Sequence, residues 1–142
     1  MLSACAILTL AGTLAFSSPE VRAQHSSMPP NARVYFIWPQ DGQVVGSKFW
    51  VRMGLSGAGV APAGVEYPNT GHHHLLIDTD LPSLTEAIPH DKNHLHFGAG
   101  QTEAQLELPP GTHTLQLLLG DAAHFPHDPP LMSKKITITV RS

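Results

Sequence analysis

Residues 47–55 read SKFWVRMGL, in which Phe49, Val51, Met53 and Leu55 alternate with Lys48, Trp50, Arg52 and Gly54. Successive side chains of a β-strand point to opposite faces, so a period of two marks a strand with one face in a core. Residues 135–140 (KITITV) repeat the pattern through Ile136, Ile138 and Val140. Working outward, five more apolar runs have strand length: 33–38 (RVYFIW), 72–78 (HHHLLID), 95–97, 103–108 (EAQLEL) and 112–119 (THTLQLLL). Turn-forming clusters separate them, namely Pro39-Gln40-Asp41-Gly42, Pro109-Pro110-Gly111 and His127-Asp128-Pro129-Pro130. Residues 81–88 (LPSLTEAI) have weak helical character and a proline near the start, and read as a loop. The expectation is an all-β domain over residues 33–142, an immunoglobulin-like β-sandwich of about seven short strands, preceded at 24–32 by a flexible lead-in.

A chain of 142 residues with 42% hydrophobic content builds one core rather than two. Its 13 prolines and 12 glycines interrupt any long helical period. The formal net charge of -3 comes without a basic stripe, which excludes the phosphate-neutralising surface a nucleic-acid partner needs.

Ala4 to Phe16 are apolar and uncharged, and Val21-Arg22-Ala23 approximates a small-x-Ala cleavage site. Residues 1–23 therefore read as a signal peptide, with export to the periplasm or outside the cell and the mature chain starting at Gln24. No Lys or Arg precedes the apolar run, a departure from the usual pattern. The run is shorter than the roughly 20 residues a membrane-spanning helix needs, so no stable membrane insertion is expected after cleavage. Leu2-Ser3-Ala4-Cys5 resembles a lipobox, but the apolar run follows the cysteine instead of preceding it. Cys5 is the sole cysteine, so cleavage leaves a chain without disulfide, thiolate ligand or cysteine nucleophile.

Ten histidines outnumber the eight Lys and Arg together. They group as His72-His73-His74, His94-x-His96 and His124-x-x-His127, with His25, His90 and His113 outside the groups. On a strand His72 and His74 share a face, as do His94 and His96, so each His-x-His is a two-nitrogen clip. Without thiolates, imidazole is the best neutral donor for Cu(II) or Zn(II). His72, His74, His94, His96, His124 and His127 are accordingly the candidate metal ligands, for copper before zinc. Two other readings of the same residues stay open: a hydrogen-bonded polar edge in a structural or interaction domain whose partner is another envelope protein, and a pH-responsive surface. Parity places His73 and His113 on the core side, as buried histidines donating to a carbonyl or an aspartate. Asp121, three residues before His124, is the candidate to fix a ligand's tautomer, whereas Asp78, Asp80, Asp91 and Asp128 read as turn residues. Met53 fits a core stripe, and Met28 and Met132 are isolated.

No G-x-S-x-G elbow, H-E-x-x-H helix or phosphate-binding glycine loop occurs, so no catalytic residue is nominated. The motifs GHHHLLID (71–78), HFGAGQTE (96–103), PGTHTLQLLLGDAAH (110–124) and PHDPPLMS (126–133) together resemble a family of bacterial exported domains of unknown function, over about residues 34–140. That resemblance implies an exported β-rich domain and brings no activity. A looser likeness, in architecture and chemistry only, is to the small periplasmic copper carriers of copper-resistance systems. This chain departs from those carriers at the N-terminus, where they often place a ligating histidine first.

Overall fold

The computed structural model describes residues 25–142. The expected signal peptide, its cleavage site and Cys5 lie outside the described residues. Within them the chain forms nine strands: β1 (Arg33–Trp38), β2 (Val44–Gly46), β3 (Lys48–Ser56), β4 (Gly59–Val60), β5 (Thr70–Ile77), β6 (His94–His96), β7 (Glu103–Glu107), β8 (Gly111–Gly120) and β9 (Ile136–Arg141). No described helix is long and apolar enough to cross a membrane.

The strands make a β-sandwich. One sheet has the order β1-β3-β7; the other runs β2-β9-β8-β5-β4, with β6 also paired to β5. The alternation read from residues 47–55 is realised in β3, where Phe49, Val51 and Met53 are buried and Lys48, Trp50 and Arg52 are exposed. They meet Val34 and Phe36 of β1 and Leu106 of β7 across the core from Leu75, Ile77, Leu115, Leu117, Ile136, Ile138 and Val140. Burying an aliphatic side chain of this size stabilises by about 1.5–3 kcal/mol, and this cluster supplies most of the fold's driving force.

The seven strands expected are all present, and two more appear. Both β2 and β4 are too short to show a period, at three and two residues. Each pairs in parallel, β2 with β9 far along the chain and β4 with the next strand β5, so neither makes a hairpin that a turn signal could mark.

Strand β5 and the second half of β8 differ from the others because both their faces are covered. From Gly71 to Ile77 every residue is buried. Leu75 and Ile77 face the sandwich core. On the other face Leu76 packs with Leu118 and Ile88 in a second cluster, flanked by Leu84 and Met132. The connections after β5 and β8 provide that cover, Ile88 being pinned by its amide, which donates to the His124 carbonyl at 2.8 Å. Residues 25–32, read from sequence as a lead-in, make definite contacts: Asp128 N donates to Ser26 O at 3.1 Å, and His25 Nδ1 to Pro126 O at 2.9 Å.

Candidate metal centre

The covered outer face of β5 carries the histidines. His72 and His74 point to this face together, and the antiparallel register of β5 with β6 sets His74 directly opposite His96. Pairing with β8 sets His72 opposite Gly120 and His74 opposite Leu118. One nitrogen from each of His72, His74 and His96 lies within 4.8 Å of the others. Ring centroids are 4.7 Å apart for His72 and His74, 5.0 Å for His72 and His96, and 5.1 Å for His74 and His96.

His124 joins from the turn after β8. Its backbone has φ of 72°, in the left-handed region. Asp121 builds that turn: its Oδ1 accepts from Ala123 N and Phe125 N, both at 2.9 Å, and its carbonyl accepts from His124 N at 3.0 Å. The His124 ring is thereby brought to 4.7 Å from His96 and 5.1 Å from His72. Asp121 thus does turn work and among the described residues makes no hydrogen bond to a ring of the cluster, so contrary to expectation it sets no tautomer there, although its charge acts on His72. Asp78 and Asp91, both expected to be turn residues, are carboxylates that bind imidazoles, those of His113 and His94.

Two glycines make room for the rings. A Cβ at Gly98 would overlap His96 Cε1, and one at Gly120 would lie 2.7 Å from His74 Cε1. Contacts this short require displacement of the ring or the backbone.

The cluster is electrostatically uniform. Burial pushes the His74 pKa down to about 3 and that of His72 to about 4, and mutual repulsion with His96 and His124 adds to the effect in both. His96 is lowered too, by burial and then by His124 and His90. These imidazoles are neutral at pH 7, the form that binds a metal ion. No nitrogen of His72 or His74, nor Nε2 of His96, has a hydrogen-bond partner among the described residues. A buried polar atom without a partner costs about 1–3 kcal/mol, so five such nitrogens, three of them converging, are costly unless something occupies the space between them. Three nitrogens around one ion at 2.0–2.1 Å would sit roughly 3.3 Å apart. Closing from 4.8 Å is within reach of the soft χ2 torsions of imidazole side chains.

Of the six candidate ligands, the structure brings together His72, His74 and His96, with His124 at their edge. His94 shares their strand face, yet its Nδ1 donates to Asp91 Oδ1 at 2.9 Å, which fixes the ring at the turn before β6. His127 lies toward the opposite face of β5: a Cβ on Gly71, which alternates with His73 and Leu75, would meet its Nε2. Its Nδ1 donates to Ser26, whose Oγ and carbonyl oxygen lie at 2.8 and 3.2 Å. Sequence reasoning left His90 outside every group, and its ring centroid is 5.4 Å from that of His96. No short-range spacing marks His90, since a loop excursion from β5 brings it back.

The two core-side histidines diverge. His113 Nδ1 donates to Asp78 Oδ2 at 2.6 Å and Nε2 to Pro109 O at 2.8 Å, so both nitrogens face acceptors and the ring carries two protons. His73 is buried as expected, but neither of its nitrogens has a partner among the described residues, which corrects the expected bond to a carbonyl or aspartate. Its neighbours on that face, Gly71 and Leu75, offer no side-chain acceptor.

A family described as "Domain of unknown function (DUF4399)" matches residues 51–141, a stretch that contains the whole histidine cluster. No curated protein matches the sequence. Among solved structures, the chain is similar to the endo-beta-1,4-mannanase from Thermotoga petrophila, with 18% identity and a TM-score of 0.46 over 78% of this chain and 20% of that one. The chain thus spans about a fifth of the length of that enzyme.

Proposed function

The chain belongs to the DUF4399 family, and from that premise we propose that it is an exported metal-binding module of the cell envelope, with His72, His74 and His96 as the ligands and His124 completing the set. The observation that carries this reading is the convergence of three neutral imidazoles, two buried and one half-buried, whose inward nitrogens have no hydrogen-bond partner among the described residues. Copper is the favoured ion and zinc the second. An all-imidazole set without thiolate suits both, and borderline divalent ions are bound more tightly by nitrogen donors as the series runs to Cu(II). Export to the periplasm rests on the sequence of residues 1–23, and envelope proteins are the natural donors and acceptors of the ion.

The rival reading, a structural cluster held by its own hydrogen bonds, needs N–H···N bonds between the rings. No such bond is found among these residues, which favours the metal reading. Tag-free protein, stripped and then titrated with Cu(II) or Zn(II) against a weak chelator, is expected to retain about one equivalent of ion, and the His74→Ala, His96→Ala double variant none. Retention of well under one equivalent by the parent would sink the proposal.

A further inference from the structure

The cluster is capped by apolar side chains along β5, and its imidazoles are graded in exposure. Beyond His74 on the same face comes Leu76, packed with Ile88 and Leu118, so an ion cannot approach along the strand from that end. Across the rings toward His90 exposure rises stepwise: His72 and His74 are 0% and 1% exposed, His96 and His124 are half-buried, and His90 is exposed. The rings of His90 and His96 are 5.4 Å apart, and those of His96 and His124 4.7 Å. The His90 backbone is held on both sides. Two residues before it, buried Ile88 donates its amide to the His124 carbonyl. Immediately after it, Asp91 Oδ1 accepts from Asn93 N at 2.8 Å and His94 N at 3.0 Å. His90 is therefore a surface imidazole anchored at a set distance from the cluster.

Resting on the metal reading of the cluster, we infer that His90 is the capture ligand of the site. It takes a hydrated divalent cation at the surface and passes it to His96 and His124, which deliver it to His72 and His74. A hydrated ion gives up its waters one at a time, and an imidazole at each step replaces a lost water before the next is shed. The inference concerns rates, because a ligand that holds the ion only in transit speeds arrival and departure alike and leaves the equilibrium unchanged.

The test is stopped-flow mixing of tag-free protein with Zn(II) and separately with Cu(II), paired with release into excess chelator, for the parent, His90→Ala and His90→Asn. Both variants are expected to slow association and release by the same factor, at least about threefold, with stoichiometry kept and Kd within about twofold. The exposed position makes both substitutions compatible with folding. Unchanged rates in a parent that binds the ion overturn the inference alone. So does a weakened Kd at an unchanged association rate, since that makes His90 a resident ligand. A parent that takes up neither ion overturns the cluster's metal reading, and the inference with it.

Discussion

His113 on β8 and His74 on β5 sit on neighbouring strands of one sheet, both buried, and the fold treats them in opposite ways. His113 has two acceptors within 2.8 Å, and its bond to Asp78, the main cause, raises its pKa. His74 has no partner for either nitrogen among the described residues, and burial drives its pKa to about 3. The first is a structural histidine that uses its charge. The second is kept neutral and aimed at two other neutral rings, an arrangement that serves an incoming cation better than it serves the fold. The difference lies in what the sheet places opposite each ring: an aspartate after β5 in one case, a His-x-His strand in the other.

The largest effect expected from this contrast is on stabilisation by metal. A ligand present at 1,000 times its Kd stabilises by about 4 kcal/mol, so Zn(II) should raise the melting temperature of the parent by about 10–20 °C. His74→Leu should abolish the rise, and His113→Leu should retain it in full. An equal loss in both variants would erase the distinction between the two sites.

Next in size is the packing of the cluster. Gly120→Ala puts a methyl group against His74 Cε1 and within 3.3 Å of Ile88 Cδ1. It should cost about 1–3 kcal/mol in chemical denaturation and weaken metal binding by about tenfold or more. Unaltered affinity would mean that the ring position seen here is not the binding position.

A difference of sign comes third. In metal-free protein His74→Leu removes two unpartnered nitrogens at similar volume and should stabilise by about 1–3 kcal/mol. His113→Leu strands the Asp78 carboxylate, whose side chain is 41% exposed, and should destabilise by about 1 kcal/mol. Denaturant titration with metal removed reads both. Destabilisation by His74→Leu would show that the cluster holds itself together.

The smallest effects are in pH dependence. A lowered histidine pKa means that the unfolded chain takes up protons before the folded one does. The contribution of His72 and His74 is therefore complete above 6.5 and is lost as pH falls from there toward about 4, where His72 titrates in the folded protein. His113 works in reverse: its raised pKa gives a contribution that is complete below 6.5 and fades as pH climbs through the folded value. His74→Leu should flatten the acid arm of a stability profile, and His113→Leu the arm above neutrality.

The sequence was explicit about the sandwich, because β3 and β9 keep a period of two and their polar faces meet water. It was explicit about the His72 and His74 pair for the same reason. It was less informative where pairing is long-range. The meeting of His96 with His74 depends on the β5–β6 register, and the return of His90 depends on the seating of Ile88. The fates of His94 and His127 were decided by Asp91, three residues away, and by Ser26, 101 residues away, acceptors that capture a ring as readily as an ion does. Asp121 was taken up by the amides of its own turn, whereas Asp78 lies beside β8 and accepts from both the Thr114 amide and the His113 ring.

The contrast between the two histidine types is visible most directly in a long-range nitrogen–proton spectrum of the imidazole side chains at pH 7, recorded before and after one equivalent of Zn(II). The expected result is an imidazolium at His113 that zinc leaves unmoved, beside neutral rings at His72, His74 and His96 that shift together to metal-bound values. Zinc that leaves those three signals in place, or moves His113 along with them, would contradict the account.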